Sequence, residues 1–177
     1  MGKAFVFCGI KHSGKSTLGK NLARLLNIPF CDTDELLEQQ YSTSVRELFK
    51  SRGETEFRRL ESALLKNLSP ATGQVISLGG GALLKAENTA IVRGLGTVIW
   101  CDVPDETAFQ RILLKGLPPF LAGEADPFEA FRNNNKERKQ TFEKVCHIHF
   151  QPEPEKSPEE NALSLLGMLK QKGFITQ

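Results

Sequence analysis

The sequence has little of what marks a membrane, secreted or nucleic-acid-binding protein. Among its 177 residues no apolar run approaches the roughly 20 residues that a membrane-spanning helix needs. The first apolar run is too short for a signal peptide and ends in a glycine-rich loop. The 23 basic and 21 acidic residues nearly cancel, which argues against nucleic acid or a membrane surface as a partner. We therefore expect one cytoplasmic domain covering residues 1–177.

Metal- and disulfide-forming patterns are also missing. The four cysteines include no C-x-x-C pair. They lie in or beside predicted strands, at Cys8, Cys31, Cys101 and Cys146. We interpret them as small core residues in a reducing compartment. His147 and His149 alternate along one strand face, but nothing supplies the other ligands of a metal site, so a structural role is favoured.

The most specific feature present is the pattern G-x-x-x-x-G-K-S, which stands between an apolar run and a helix-patterned stretch. This P-loop predicts the following nucleotide-binding residues: Gly9, Lys11, His12, Ser13, Gly14, Lys15, Ser16 and Thr17. The backbone N–H groups of such a loop and the positive end of the next helix bind phosphate. We expect Lys15 to reach the β- and γ-phosphates and Ser16 to hold Mg²⁺.

Strand-like and helix-like segments alternate along the chain. Strands are predicted at Ala4–Cys8, 29–32, 75–78, 97–102 and 146–151. Helices are predicted at 16–26, 34–40, 44–50, 53–67, 104–115, 127–145 and 161–172. This alternation predicts an α/β fold, a five-stranded parallel sheet with helices on both faces. Ligands of such sheets bind beyond the carboxyl ends of the strands, where the most informative segments fall.

Two carboxylates, Asp32 and Asp34, end the second predicted strand and lie on one side of an extended chain. One could sit near Mg²⁺, and the other could accept a proton from, or orient, an attacking hydroxyl. Capping of the next helix would explain one aspartate but hardly both. We therefore expect the pair to have a functional role.

Three further segments carry weaker signals. Glu54, Arg58 and Glu61 share one helix face, which fits either a solvated ion-pair ladder or an arginine held ready for a substrate carboxylate. Spacing alone leaves both interpretations open. The triplet Gly79, Gly80 and Gly81 after a buried strand predicts backbone that lies flat against a ligand. Residues 116–126 have no periodicity and are predicted to form a mobile flap.

In combination these motifs resemble the shikimate kinase family. The motifs G-x-x-x-x-G-K-S-T, D-T-D, R-G-E-x-x-F-R-x-x-E and S-L-G-G-G occur in the family's order, and the resemblance covers about residues 3–150. It implies a P-loop core, substrate-binding helices at about 33–61 and a lid at about 115–126. It also implies transfer of the ATP γ-phosphate to the 3-hydroxyl of shikimate, a step of chorismate and aromatic amino acid biosynthesis.

The resemblance implies a role for each matched residue. Lys15 contacts the phosphates, Ser16 holds Mg²⁺ with Asp32 close to the metal, and Asp34 is the candidate base. The implied shikimate-binding residues are Asp34, Arg58, Gly79, Gly80, Gly81 and Arg138, and Arg111 matches an arginine near adenine. The match at Arg138 is loose, because this chain has E-R-K-Q-T-F where the family usually has R-x-P-L-Y.

The lid departs from the family pattern. Pro118 stands where the family carries a catalytic arginine, and proline supplies neither charge nor hydrogen-bond donor. We favour replacement by a lysine, first Lys115 and otherwise Lys136 or Lys139. Two alternatives stay open, a shifted alignment that uses Arg132 and a reduced activity.

Two other functions stay open. One is another small-metabolite P-loop kinase, similar to gluconate or nucleotide kinases, which need not carry the D-T-D, R-G-E and G-G-G motifs. The other is a low-activity, nucleotide-binding regulatory module, which only Pro118 supports. The pattern shows no apolar stripe the size of an interface, so we expect a monomer.

Overall fold

The computed structural model of the protein describes residues 4–69, 73–118, 121 and 123–175. Its centre is a sheet of parallel strands: β1 Ala4–Cys8, β2 Phe30–Asp32, β3 Val75–Ser77, β4 Gly96–Cys101 and β5 Ile148–Phe150. The strands lie in the order β2-β3-β1-β4-β5, so β1 is central. Val6 of β1 pairs with Ile76 on one side and with Val98 on the other. Buried on both faces, β1 and β4 read as continuous apolar runs rather than alternating ones.

Helices connect the strands. They are α1 Lys15–Leu26, α2 Thr33–Tyr41, α3 Val45–Asn67, α4 Ala86–Leu95, α5 Asp105–Lys115, α6 Pro127–Val145 and α7 Pro158–Gln171, and a 3-10 turn lies at Ala82–Leu84. Helix α3 is broken at Gly53, where φ is 75° and ψ is 167°. This left-handed backbone favours glycine, and it separates the two helices predicted at 44–50 and 53–67.

Both faces of the sheet are covered, which confirms the predicted α/β architecture. Phe5 and Phe7 point to the face covered by α1 and α7. Val6 and Cys8 point to the opposite face, which is covered by residues of α3, α4, α5 and α6. The alternation along β1 therefore supplies two separate apolar cores, one on each side of the sheet.

Helices α2 and α3 form an arm with a small core of its own. Its buried members are Leu37, Leu48, Phe57 and Leu60. This core lies apart from the two sheet cores and holds the broken helix α3 against α2. Helices α2 and α3 are therefore held together by a core of their own where they reach the edge of the sheet.

Some predicted elements differ from the structure. No element was predicted in the stretch that forms α4. Helix α7 begins earlier than predicted, at Pro158, because Ser157 and Glu160 form a reciprocal capping box. Leu163, predicted on its apolar face, is 53% exposed, and the buried positions are Ala162, Leu165 and Leu169.

The segment between α5 and α6 occupies the place of the predicted flap. Its described residues, 116–118, 121 and 123–126, lie outside any helix or strand, while Pro119, Phe120 and Ala122 lie outside the described residues. Its mobility stays a prediction. Within the described ranges, no helix is long and apolar enough to cross a membrane. All four cysteines are free thiols.

Gly96 lies where β4 starts beside β1, and a Cβ at this position would overlap the carbonyl oxygen of Ala4. We predict that Gly96→Ala lowers the free energy of unfolding by about 1–3 kcal/mol, because the obstacle is backbone that cannot rotate away. Urea denaturation followed by circular dichroism measures the change.

The matched control is Gly94→Ala in α4, where nothing lies within 4 Å of the added Cβ. That substitution should raise the free energy of unfolding by about 0.5–1 kcal/mol through helix propensity. Equal stability of the two variants would contradict the close approach of β4 to β1.

Candidate active site

Residues 9–14 form the loop between β1 and α1. Positive φ angles at Gly9 (156°), His12 (63°) and Gly14 (87°) curl this loop. Gly14 caps α1 without a side-chain hydrogen bond, which leaves the first amides of α1 for a ligand. Arg111 of α5 holds the loop from outside, since its Nη1 donates to the His12 carbonyl oxygen at 2.9 Å. This geometry is that of an anion-binding loop at a helix N-terminus.

Lys15 is the buried cation of the loop. It is 9% exposed, and its Nζ donates one long hydrogen bond, 3.4 Å, to the Ile10 carbonyl oxygen. Burial lowers the pKa of Lys15, and the negative charge of Asp34 raises it. Since a desolvated ammonium gains most from an anionic partner, Lys15 is placed to bind phosphate oxygens.

The other predicted loop residues lie around this cation. Ser13 is buried, and its hydroxyl has no hydrogen-bond partner among the described residues. Thr17 is exposed in the first turn of α1, and Arg111 is exposed beside the loop. The loop therefore contains one buried hydroxyl without a partner, that of Ser13, and exposed polar side chains, Thr17 and Arg111, lie beside it.

Three oxygen groups meet at the start of α1. The Ser16 hydroxyl donates to Asp32 Oδ2 at 2.6 Å and lies 3.0 Å from the Ser77 hydroxyl. The other carboxylate oxygen of Asp32 accepts the Asp34 N–H at 2.9 Å and caps α2. From the sequence, helix capping was weighed against a functional role for the aspartates. In the structure Asp32 caps α2 and also contacts Ser16. No role was predicted for Ser77, although it is the first residue of the S-L-G-G-G motif.

The chemistry of this oxygen set fits Mg²⁺, which takes one or two protein oxygens and completes its shell with phosphates and water. Elsewhere, the described residues include no group of three or more His, Cys, Asp or Glu side chains that could hold a metal. His149 Nε2 lies 2.9 Å from Asp102 Oδ2, and His147 Nδ1 accepts the Val98 N–H at 2.9 Å. Both contacts agree with the structural role expected for the histidines.

The backbone after β3 approaches two elements very closely. A Cβ at Gly79 would lie 2.5 Å from Asp34 Oδ1, and a Cβ at Gly80 would lie 3.1 Å from the Lys11 amide nitrogen. The Gly79 N–H donates to Thr33 Oγ1 at 2.9 Å, which ties the triplet to the start of α2. The glycines therefore bring the Asp34 carboxyl group next to the phosphate loop.

The third glycine makes room for Arg58. A Cβ at Gly81 would lie 2.6 Å from both terminal nitrogens of that guanidinium. Arg58 Nη1 donates to Glu61 Oε2, and its Nε lies 3.8 Å from Glu54 Oε1. The Arg58 and Glu61 side chains are 13% and 4% exposed, so the pair is no solvated ladder. Burial raises the pKa of Glu61, whereas the charge of Arg58 lowers it.

Arg138 of α6 faces the same place. Burial lowers the pKa of Arg138, and the neighbouring positive charge of Arg58 lowers it further. The Nε atoms of both arginines are buried without a hydrogen-bond partner in the described part of the chain. Two desolvated guanidinium groups with spare donors are matched by a planar carboxylate.

Two aromatic rings lie beside Arg58, and sequence reasoning did not assign them a role in the site. The ring centroids of Phe49 and Phe57 lie 6.0 Å and 5.4 Å from the Arg58 guanidinium carbon. Phe49 stays 39% exposed. A large exposed ring beside a buried cation supplies an apolar wall for a ligand.

A family model for shikimate kinase matches residues 11–170 of this chain. The shikimate kinase of Symbiobacterium thermophilum is 37% identical over 145 residues, which cover 81% of this chain and 83% of that protein. The chain belongs to the shikimate kinase family. The prediction made from its motifs is confirmed.

Solved structures agree with this family. A shikimate kinase from Acinetobacter baumannii in complex with shikimate superposes with a TM-score of 0.89 at 25% identity, covering 98% of this chain and 96% of that one. A gluconokinase from Sinorhizobium meliloti reaches a TM-score of 0.53 at 14% identity, covering 96% of this chain and 94% of that one, and so shares the fold alone. The gluconate- or nucleotide-kinase-like alternative is therefore not favoured.

The segment predicted to be the lid departs from the family's motif at Pro118. Its carbonyl oxygen accepts the Leu121 N–H at 2.9 Å, which makes a turn after α5. Lys115, the favoured replacement for the arginine, is the last residue of α5, and its side chain lies outside the described residues. The catalytic role of Lys115 stays a prediction.

The other basic candidates lie on α6. Lys139 Nζ is 3.1 Å from Asp105 Oδ1, and Arg132 Nη2 is 2.8 Å from Glu129 Oε1. Lys136 is exposed. Ion pairs engage Lys139 and Arg132 in the structure, and the roles considered for these three residues stay predictions.

Proposed function

We propose that this protein transfers the γ-phosphate of ATP to the 3-hydroxyl of shikimate, giving shikimate 3-phosphate and ADP. The observation that carries the proposal is the close approach of the glycine triplet, which sets the Asp34 carboxyl group and the Arg58 guanidinium beside the phosphate loop. Family membership and the relative solved with shikimate support the choice of substrate.

The nucleotide end of the site is the loop of residues 9–14 and the start of α1. Its backbone amides and Lys15 bind the β- and γ-phosphates, and Arg111 lies at the outer rim, where it would flank adenine. Ser16, assisted by Asp32, would hold Mg²⁺, which when bound neutralises charge on the phosphates. The Ser77 hydroxyl orients the Ser16 hydroxyl through the hydrogen bond between them.

The acceptor end is built around a carboxylate. Arg58 and Arg138 bind the carboxylate of shikimate with donors that are buried and unused. Glu61 fixes the orientation of Arg58. The Gly79–Gly81 backbone, including Gly80, lies along the ring of the acceptor. This pairing of two arginines suits a small acid better than a sugar without charge.

Asp34 is the base. It takes the proton of the attacking hydroxyl while that oxygen bonds to the γ-phosphorus, and the electron pair of the broken bond leaves with ADP. Its place between the acceptor arm and Lys15 puts it at the junction of the two ends of the site. Proton transfer of this kind contributes roughly 10²–10⁴ to the rate.

The proposal extends to organisation. The chain is one kinase domain of residues 1–177, in which residues 33–61 form the acceptor arm and residues 115–126 the lid. It acts as a monomer in the cytoplasm. The free thiols suit a reducing compartment. The large exposed apolar side chains are spread over α1, α3, α5 and α7 and the chain after α7.

The first test is ADP formation from Mg-ATP in the presence of shikimate, measured with a coupled assay. We expect turnover with shikimate and none with gluconate or nucleoside monophosphates. Gluconate also has a carboxylate and hydroxyls, but its open chain lacks the ring that would hold a hydroxyl at Asp34 while the carboxylate binds Arg58 and Arg138. A nucleoside monophosphate has no carboxylate. Lys15→Ala is the control and should abolish turnover. Binding of ATP and shikimate without any ADP over hours would instead support the regulatory module.

The second test is the pH dependence of the reaction. Burial raises the pKa of Asp34 while Lys15 lowers it, and the net direction is upward. Since only the ionised carboxylate accepts a proton, kcat/KM for shikimate should fall with falling pH at a pH above the ordinary aspartate value of about 3.9. Asp34→Asn should lower kcat by roughly 10²–10⁴ and remove that acidic limb.

Glu35→Gln is the matched control on the same helix, since Glu35 is exposed and pairs with Lys20 at the surface. It should leave the pH profile unchanged. An Asp34→Asn enzyme with wild-type kcat, or with the same acidic limb, would remove Asp34 from the role of base.

A further inference from the structure

The part of the lid after Lys115, which would close over the phosphates, brings no positive charge. Residues 116–126 contain no lysine or arginine, and they carry Glu124 and Asp126. Phosphoryl transfer depends on positive charge at the transferring group, where an inserted arginine contributes roughly 10³–10⁵ to the rate. The cation must therefore come from a part of the chain other than this segment.

The structure engages most basic groups around the site elsewhere. Arg58 and Arg138 lie at the carboxylate end, where Glu61 and Glu54 accompany them. Arg111 is bonded to the outer side of the loop. Lys139 is paired on α6. Lys15 is assigned to the β- and γ-phosphates, and each of the other four side chains already has a partner.

Lys11 lies where the phosphate loop meets the glycine triplet. It is the second residue after Gly9 in the loop, and its amide nitrogen lies against Gly80, between the glycine that faces Asp34 and the one that faces Arg58. Its side chain is exposed, and within the described ranges no hydrogen bond or ion pair engages it. The positive charge of Lys11, after that of Lys15, lowers the pKa of Asp34, so the two groups interact across the junction of loop and glycine triplet.

We propose that the Lys11 ammonium contacts the γ-phosphoryl group during transfer and supplies the positive charge that residues 116–126 lack. This inference rests on the proposed function and gives Lys11 a catalytic role beyond the backbone contact of the loop. Lys11 keeps its proton throughout, since the hydroxyl proton goes to Asp34 and the electron pair leaves with ADP. A charge rooted in the loop is in place before the lid closes, so closure need only exclude water.

The test compares substitutions at Lys11 in the full-length protein. Lys11→Ala should lower kcat about 100-fold or more, because one donor aimed at developing charge is worth roughly 10²–10³. The values of kcat and kcat/KM should fall together, as they do when an interaction forms only in the transition state. Lys11→Arg should retain most of the activity. All variants should unfold at the wild-type temperature, because Lys11 is exposed.

Two further variants separate the candidates. Lys136→Ala, on the exposed face of α6, should keep the wild-type kcat. Pro118→Arg placed in the Lys11→Ala background should restore activity by returning a cation through the lid. A Lys11→Ala enzyme with wild-type kcat, or a loss seen in Lys115→Ala instead, would overturn the inference. Wild-type protein without shikimate-dependent ADP formation would overturn the proposed function itself and the inference with it.

Discussion

The site depends on how closely bare backbone can approach its neighbours at the end of β3. Three consecutive glycines let the Asp34 carboxyl group, the Lys11 amide and the Arg58 guanidinium each occupy space that a Cβ would fill. Because β3 lies next to β1, the same backbone also touches the phosphate loop. A donor site and an acceptor site on different elements are thereby held in contact without a long side chain between them.

This arrangement collects charges in a partly dehydrated cleft before any substrate binds. Burial lowers the pKa of Lys15 and Arg138 and raises the pKa of Asp34 and Glu61, so each group is held where its charged form is disfavoured. Burying these charges lowers the free energy of unfolding, and the packed core of the α2–α3 arm is one source of compensating stability. In return the charges need little rearrangement when phosphate and carboxylate arrive.

Sequence reasoning reached the sheet, the loop and the glycine triplet because each depends on local residue types. It could not decide whether Arg58 belongs to a solvated ion-pair ladder or binds a substrate carboxylate. The burial of Arg58 results from the packing of the arm on the sheet edge, which the spacing of residues does not show. No role was predicted for Ser77, because the contact between one serine in an apolar strand and the distant Ser16 becomes visible only in the fold. Helix α4 was missed because it has no side-chain N-cap and contains Gly94. Leu163 was assigned to the wrong face of α7, because four leucines suggest more than one apolar face and the buried one is that of Ala162, Leu165 and Leu169.

The Lys11 and Asp34 roles share one geometric requirement, that shikimate lies with its carboxylate away from the loop and a hydroxyl toward it. A crystal structure of the protein with shikimate, ADP and Mg²⁺ measures this orientation. The expected result is a carboxylate bonded to Arg58 and Arg138, with a ring hydroxyl at about 2.6–3.2 Å from an Asp34 oxygen. A carboxylate bound away from both arginines, or a ring with no hydroxyl facing Asp34, would contradict it.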